Sequence, residues 1–289
     1  MARLGYVGLG IMGGPMARHL ATAKHSMTVY NRTTAKADAW VEQHGGARAL
    51  TPREVAQSSD VVLMCVGNDD DVRSVVFGAD GILAGLKTGG ILVDHTTASA
   101  TIAREIADAC AKQGCGFVDA PVSGGQAGAE NGQLTIMCGS NDPATFDAIE
   151  PSIAAYAKRS KLLGTAGSGQ LAKMVNQICI AGIAQGLSEA LNFAMRAGLN
   201  PDDVVDVISK GAAQSWQMEN RAKTMVRDEF EFGFAVEWMR KDLGICFDEA
   251  SRNGAQLPMT EMVDKFYEEV VAMGGKRWDT SSLIARLTD

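Results

Sequence analysis

The chain changes its hydrophobic rhythm once. Up to about residue 163, short β-rich apolar runs alternate with stretches of helical periodicity. "LGYVGLG", "MTVYN", "VVLMCVG", "ILVDHT", "GFVDAPV" and "LTIMCG" read as strands, and "PMARHLATA", "AKADAWVEQH" and "TIAREIADACAKQG" read as the helices between them. This alternation predicts a doubly wound α/β domain over residues 1–163, a parallel sheet covered by helices on both faces. From residue 164 onward the pattern holds only long helical segments, so residues 164–289 are expected to form an all-α domain. The junction near "LLGTAGSG" is not a flexible linker, which predicts close packing with a cleft between the domains.

Composition narrows the function classes. At 289 residues there is room for two cores, and a formal net charge of -7 with scattered lysines and arginines argues against nucleic acid or a membrane surface as partner. A small-molecule partner fits better. The six cysteines, at 65, 110, 115, 138, 179 and 246, form no Cys-x-x-Cys pair, so we expect free thiols in a reducing cytoplasm and no metal site. Met1-Ala2-Arg3 leads straight into an apolar strand, which leaves no room for a targeting peptide, and no apolar run is expected to span a membrane.

The first strand runs into "VGLGIMGGPM", where Gly8, Gly10 and Gly13 form G-x-G-x-x-G between a strand and a helix. That context predicts a Rossmann-type dinucleotide site made by Gly8, Leu9, Gly10, Ile11, Met12 and Gly13, with the helix N-terminus facing a pyrophosphate. At the end of the second strand, where a NAD site carries an acid, this chain has Asn31, followed by Arg32 and Thr33. Without that carboxylate, and with a guanidinium available for a 2′-phosphate, the expected cofactor is NADP(H), with NAD(H) used less efficiently.

The segment "GSGQLAKMVNQICIAGIAQGL" presents a different problem, a lysine near the start of an apolar helix. Glu189, the nearest following acid, is too far along the helix to pair with Lys173. Lys173 either snorkels, with its stem on apolar surface and its amine in water, or belongs to a functional seam. Gln170, Lys173, Asn176 and Gln177 recur at i, i+3, i+6 and i+7, one narrow polar line on an apolar cylinder.

Taken together, "YVGLGIMGGPMARHL", "DAPVSGGQAGAENGQLTIMCGS", "GSGQLAKMVNQ" and "MRKDLGI" resemble the β-hydroxyacid dehydrogenases in order and spacing. That family includes 3-hydroxyisobutyrate dehydrogenase, tartronate semialdehyde reductase and the glyoxylate/succinic semialdehyde reductases. The resemblance covers essentially the whole chain. It implies that Lys173 is the general acid and base, a role suited to an ammonium that must stabilise and protonate a nascent alkoxide. It implies that Asn176 orients the substrate or the amine. Gln177 stands where many relatives carry a second Asn, which leaves its role open.

In "DAPVSGG", Ser123, Gly124 and Gly125 offer a hydroxyl and approachable amides for a substrate carboxylate. By similarity, Val66 and Gly67 would lie by the cofactor ribose and Thr96 at the nicotinamide end. Lys241, on the cofactor, and Asp242 and Phe234, on the substrate, would close the site from the helical domain. The substrate is expected to be a short hydroxy acid or aldehyde acid, its identity chosen in part by Ser215, Trp216, Met218 and Arg221. Relatives pair through their C-terminal helices, which implies a homodimer or homotetramer. His95, at a strand's carboxyl end, is an alternative acid–base group, and a solvated loop histidine is the commoner case. A 6-phosphogluconate dehydrogenase-like enzyme is disfavoured because this helix has no Glu near Lys173. An imine reductase-like enzyme typically replaces the lysine, and a non-catalytic NADP(H)-binding scaffold does not need it.

Overall fold

The structure, a computed structural model, describes residues 2–288. Nine strands are present among them: β1 (Arg3–Val7), β2 (Ser26–Tyr30), β3 (Ala47–Arg48), β4 (Val61–Met64), β5 (Ile91–Asp94), β6 (Gly116–Asp119), β7 (Val122–Ser123), β8 (Leu134–Cys138) and β9 (Ala157–Leu162). The helices of the strand-bearing region are α1 (Gly13–Thr22), α2 (Thr34–His44), α3 (Pro52–Ser58), α4 (Asp69–Phe77), α5 (Ile82–Gly85), α6 (Ala100–Lys112), α7 (Gly125–Glu130) and α8 (Pro143–Ile153). Then follow α9 (Ser168–Arg196), α10 (Pro201–Ile208), α11 (Trp216–Met225), α12 (Val236–Asn253), α13 (Pro258–Ala272) and α14 (Ala285–Thr288).

Six parallel strands pair in the order β3-β2-β1-β4-β5-β6, a Rossmann-like sheet flanked by helices. Both faces are covered, as the nearly unbroken apolar runs require. Leu4, Tyr6, Leu63, Val93 and Val118 pack with Met16, Leu20 and Trp40 in one cluster. Their alternating neighbours Val7, Val62, Met64, Leu92 and Phe117 pack with Val55, Ile82 and Ile106 in the other.

Two strands differ from the sequence expectation. "GFVDAPV" is not one strand: β6 stops at Asp119, and Pro121, which has no N–H to donate, separates it from β7. "LTIMCG" does not extend the main sheet either. It forms β8, the centre of a second sheet in the order β7-β8-β9, antiparallel to β7 and parallel to β9.

By internal contacts the chain divides into two compact units between Lys173 and Met174, within α9. The last strand ends earlier, at Leu162. The C-terminal unit contains no strand among the described residues, only the isolated bridge Ala235–Asp279. In its core Ala181 and Ala184 of α9 pack with Val236, Met239 and Leu243 of α12 and with Val263 and Tyr267 of α13. A second cluster joins Leu187, Leu191, Val205, Met218, Met225 and Phe230.

At 29 residues α9 is longer than its sequence suggested, and by length and composition alone it passes for a membrane-crossing helix, contrary to expectation. Its buried polar residues, Gln170, Lys173, Gln177, Gln185 and Ser188, are instead those of a helix inside a folded protein.

Candidate active site

The glycine-rich turn between β1 and α1 has the shape its sequence predicts. Gly8 lies at φ +95°, and a Cβ there would collide with the Cys65 carbonyl. A Cβ on Gly13 would collide with the carbonyl oxygen of Gly8, so α1 and β1 approach as closely as they do only without it. Gly10 is the opposite case: a Cβ there would meet nothing within 4 Å, and the neighbouring Ile11 is exposed. An open glycine at a helix N-terminus leaves room for a pyrophosphate against the backbone, so these residues fit a dinucleotide.

Asn31 braces this turn. Its Oδ1 accepts from the Leu9 N–H at 2.9 Å, and its Nδ2 donates to the Thr33 carbonyl at 3.1 Å. Arg32 is the solvent-facing member of the group. Its side chain is 86% exposed and pairs with Asp71 at 3.1 Å, the weak type of surface contact that a phosphate can displace.

At the carboxyl ends of β5 and β6 stand two buried acids in register, Asp94 and Asp119. Asp94 Oδ1 accepts from the Thr96 N–H at 2.8 Å, while its Oδ2 is buried with no hydrogen-bond partner among the described residues. Burial pushes its pKa up to about 7, against the hydrogen bonds from Thr96, and the charges of Asp119 and Asp69 add to the rise. Asp119 accepts from the backbone N–H groups of Gly167 and Gln170, at 2.7 and 2.9 Å, at the entrance of α9. Burial raises it to about 6, and those N–H donors hold it from rising further.

The loop after β5 is fixed from several sides. Thr96 Oγ1 accepts from the Val66 N–H at 3.0 Å, which brings together two of the expected cofactor residues. The Gln170 amide spans the loop, accepting from Ala98 N–H at 3.0 Å and donating to the Thr96 carbonyl at 2.8 Å. One turn along α9 from Gln170 lies Lys173, only 7% exposed, so it does not snorkel into water.

His95 belongs to neither of its expected settings. It is buried, with Nδ1 2.7 Å from the Ala120 carbonyl and Nε2 2.8 Å from the Tyr156 hydroxyl. A carbonyl only accepts, so Nδ1 carries the proton and Nε2 accepts from Tyr156. Burial lowers its pKa to about 4, which makes it a neutral core group. Ser123, Gly124 and Gly125 lie where β7 turns into α7, with Ser123 paired in register with Thr135 of β8.

In the C-terminal unit the polar line of α9 continues. Asn176 Nδ2 donates to Gln177 Oε1 at 2.8 Å, and Gln177 Nε2 donates to Asp242 Oδ2 at 2.6 Å. Lys241 Nζ lies 3.1 Å from the other Asp242 oxygen. Gln177, open in the sequence, is thus the buried connection between Asn176 and Asp242.

Phe234 is held through its backbone. Its N–H donates to Asp279 Oδ2 at 2.9 Å, while Asp279 Oδ1 accepts from Arg221 at 3.2 Å and from the Ser281 N–H and hydroxyl. The Arg221 guanidinium lies between the rings of Trp216 and Phe232, 4.8 Å from each centroid. A Cβ on Gly233 would collide with Asp279. All four residues expected to select substrate have structural partners: Ser215 caps α11 by accepting from Met218 N–H, Met218 is core, Arg221 pairs with Asp279, and Trp216 lies against the Arg221 guanidinium.

The residues the sequence reading missed are Asp94, Asp119 and Asp279, together with the contacts of Gln170. Their one visible signal is an acid closing an apolar strand, in "ILVDHT" and "GFVDAP".

Residues 3–167 match the family described as the NAD binding domain of 6-phosphogluconate dehydrogenase, and residues 167–287 match the NAD-binding domain of NADP-dependent 3-hydroxyisobutyrate dehydrogenase. An uncharacterized oxidoreductase of Shewanella frigidimarina is 62% identical over 99% of this chain and 98% of its own. The probable 3-hydroxyisobutyrate dehydrogenase-like 1 of Arabidopsis thaliana is 40% identical over 99% of this chain and 85% of its own. Among solved structures, the 3-hydroxyisobutyrate dehydrogenase of Mycobacterium tuberculosis with L-serine superposes with a TM-score of 0.90 at 28% identity, covering 100% of both chains.

Proposed function

The chain belongs to the 3-hydroxyisobutyrate dehydrogenase family, and from that premise we propose that it transfers a hydride between NADP(H) and a short β-hydroxy acid or the corresponding aldehyde acid, with Lys173 as general acid and base. The observation that carries this reading is a lysine buried on a helix whose preceding turn is tied to the Thr96 loop. NADP(H), when bound, supplies the hydride in reduction and takes it up in oxidation.

The chain's own residues then divide the work. Gly8 to Gly13 would cradle the pyrophosphate, Val66, Gly67 and Thr96 would hold the ribose and nicotinamide by family resemblance, and Arg32 would exchange Asp71 for the 2′-phosphate. Ser123 and the amides of Gly124 and Gly125 hold the substrate carboxylate. Lys173 donates a proton to the carbonyl oxygen as it becomes an alkoxide, and as a neutral amine it takes that proton back in the oxidising direction. For Asn176, Phe234, Lys241 and Asp242 the proposed substrate and cofactor contacts rest on the family resemblance. The six cysteines, held as thiols, support a cytoplasmic setting. Exposed Val175, Ile183 and Phe193 along α9 support a homodimer or homotetramer, which sedimentation velocity reads.

The test is an NADPH-consumption screen over glyoxylate, succinic semialdehyde, methylmalonate semialdehyde and tartronate semialdehyde, with the alcohols run in reverse and NADH in parallel. On the best substrate Lys173→Ala is expected to lower kcat by roughly 10²-fold or more, with cofactor affinity nearly unchanged. Near-normal kcat in that variant removes the catalytic reading, and equal or better use of NADH removes the NADP(H) preference.

A further inference from the structure

We propose that Gln170, anchored by Asp119, is a positioning residue that sets the Lys173 amine in its working place; the inference rests on the catalytic reading of Lys173. Gln170 is 1% exposed, and both ends of its amide are committed to one loop. Its Oε1 accepts from Ala98 N–H and its Nε2 donates to the Thr96 carbonyl. Two bonds from one planar group fix the rotation of the helix as well as its distance from the loop, which a single bond does not.

The backbone beneath is fixed too. The Gln170 and Gly167 N–H groups both donate to Asp119, so the acid at the end of β6 caps the entrance of α9 and sets its axial position. The same loop is held on its other side, where Asp94 accepts from Thr96 N–H and Thr96 Oγ1 accepts from Val66 N–H. Lys173 lies three residues after Gln170, one turn on and on a neighbouring line of the helix surface. Its amine therefore inherits its placement relative to Thr96 from a frame of Asp94, Asp119 and Gln170. A lysine side chain has four rotatable bonds and no geometry of its own to supply this.

The frame also makes a chemical demand at position 170. At any pH an amide supplies an acceptor for Ala98 and a donor for Thr96 at once. Glutamate has the same length but, when ionised, turns an acceptor toward the Thr96 carbonyl, and leucine leaves both backbone groups without this partner.

The experiment compares wild type with Gln170→Leu, Gln170→Glu and Lys173→Ala, using circular dichroism to select the variants that retain the fold. Two readouts are taken. In alcohol oxidation, Gln170→Leu and Gln170→Glu are expected to lower kcat about tenfold with less than a twofold change in the KM for NADP(H), and to displace the ionisation that Lys173→Ala abolishes. In the cofactor-free protein, the rate at which an amine-acylating reagent labels Lys173, read by peptide mass mapping, is expected to rise several-fold in both Gln170 variants. An unchanged ionisation or an unchanged labelling rate in a folded variant overturns the proposal and leaves Gln170 as a staple of the fold. The Gln170→Glu substitution is isosteric, so it keeps the test available where leucine does not fold. Retention of kcat by Lys173→Ala is a different failure, that of the catalytic reading itself.

Discussion

The two compact units bury carboxylates by different means. In the N-terminal unit Asp94 and Asp119 are held by N–H groups at strand and helix ends. In the C-terminal unit Asp279 is matched by Arg221, and Asp242 by Lys241. Peptide dipoles supply only part of the stabilisation that water gave, so Asp94 and Asp119 are pushed up to about 7 and about 6. Such a carboxyl is near its own neutralisation at ordinary pH. A cation-matched one is tied to its partner, and its loss strands that partner.

The largest effect that would break this contrast is expected at Asp279. Asp279→Ala leaves the Arg221 guanidinium between its two rings without its anion and removes the acceptor for Phe234 N–H. A cost of about 3–5 kcal/mol follows, read as a lowered midpoint in urea unfolding. A loss under about 1 kcal/mol would mean that the aromatic sandwich holds Arg221 on its own.

Next in size is a dependence on pH. Asp94 is raised in the folded chain, so its contribution is fully present below its unfolded value of 3.8 and is lost as pH rises through about 7. His95 is lowered to about 4 and acts oppositely, its contribution being present above 6.5 and lost as pH falls through about 4. Asp94→Asn removes the first effect alone. Relative to wild type it is expected to gain roughly 3 kcal/mol in stability between pH 4 and pH 8, measured by urea unfolding at both. A constant difference would place a compensating cation beside Asp94.

The smallest effect is the exposed control. Asp142 caps α8, with Oδ1 accepting from Ala144 N–H at 3.0 Å, the same dipole solution left in water. Asp142→Ala is expected to cost about 1 kcal/mol, read by thermal unfolding.

How much of this was legible in the sequence follows from which interactions are local. The glycine turn, the alternation of strands with helices over the first half, and Lys173 on a polar line are written in residues a few positions apart and are found, whereas the break at Pro121, the second sheet and β9 are not legible that way. The contacts of Asp119 with Gly167 and Gln170 cross 48 and 51 residues, and those of Gln170 with the Thr96 loop cross 72 and 74. No period of 2 or 3.6 encodes them. His95 shows the same limit: a histidine after a strand reads as solvated until Tyr156, 61 residues on, is found beside it. The Asp279 partner of Arg221 lies 58 residues along the chain, equally beyond local pattern.

The short basic strand β9 escaped the sequence reading because "AKRSKL" has none of the apolar density of its neighbours. It is the edge of the three-stranded sheet, with Lys158, Arg159 and Lys161 exposed. An edge strand offers main-chain donors and acceptors to any other extended chain, and a second copy of β9 is the commonest such chain in a concentrated solution. Two of these edges meet as rows of like charge, so their approach is repelled before any ladder bond forms. Salt weakens that repulsion within a Debye length of about 8 Å at physiological strength. The colloidal behaviour of the molecule is therefore tied to ionic strength at this edge strand.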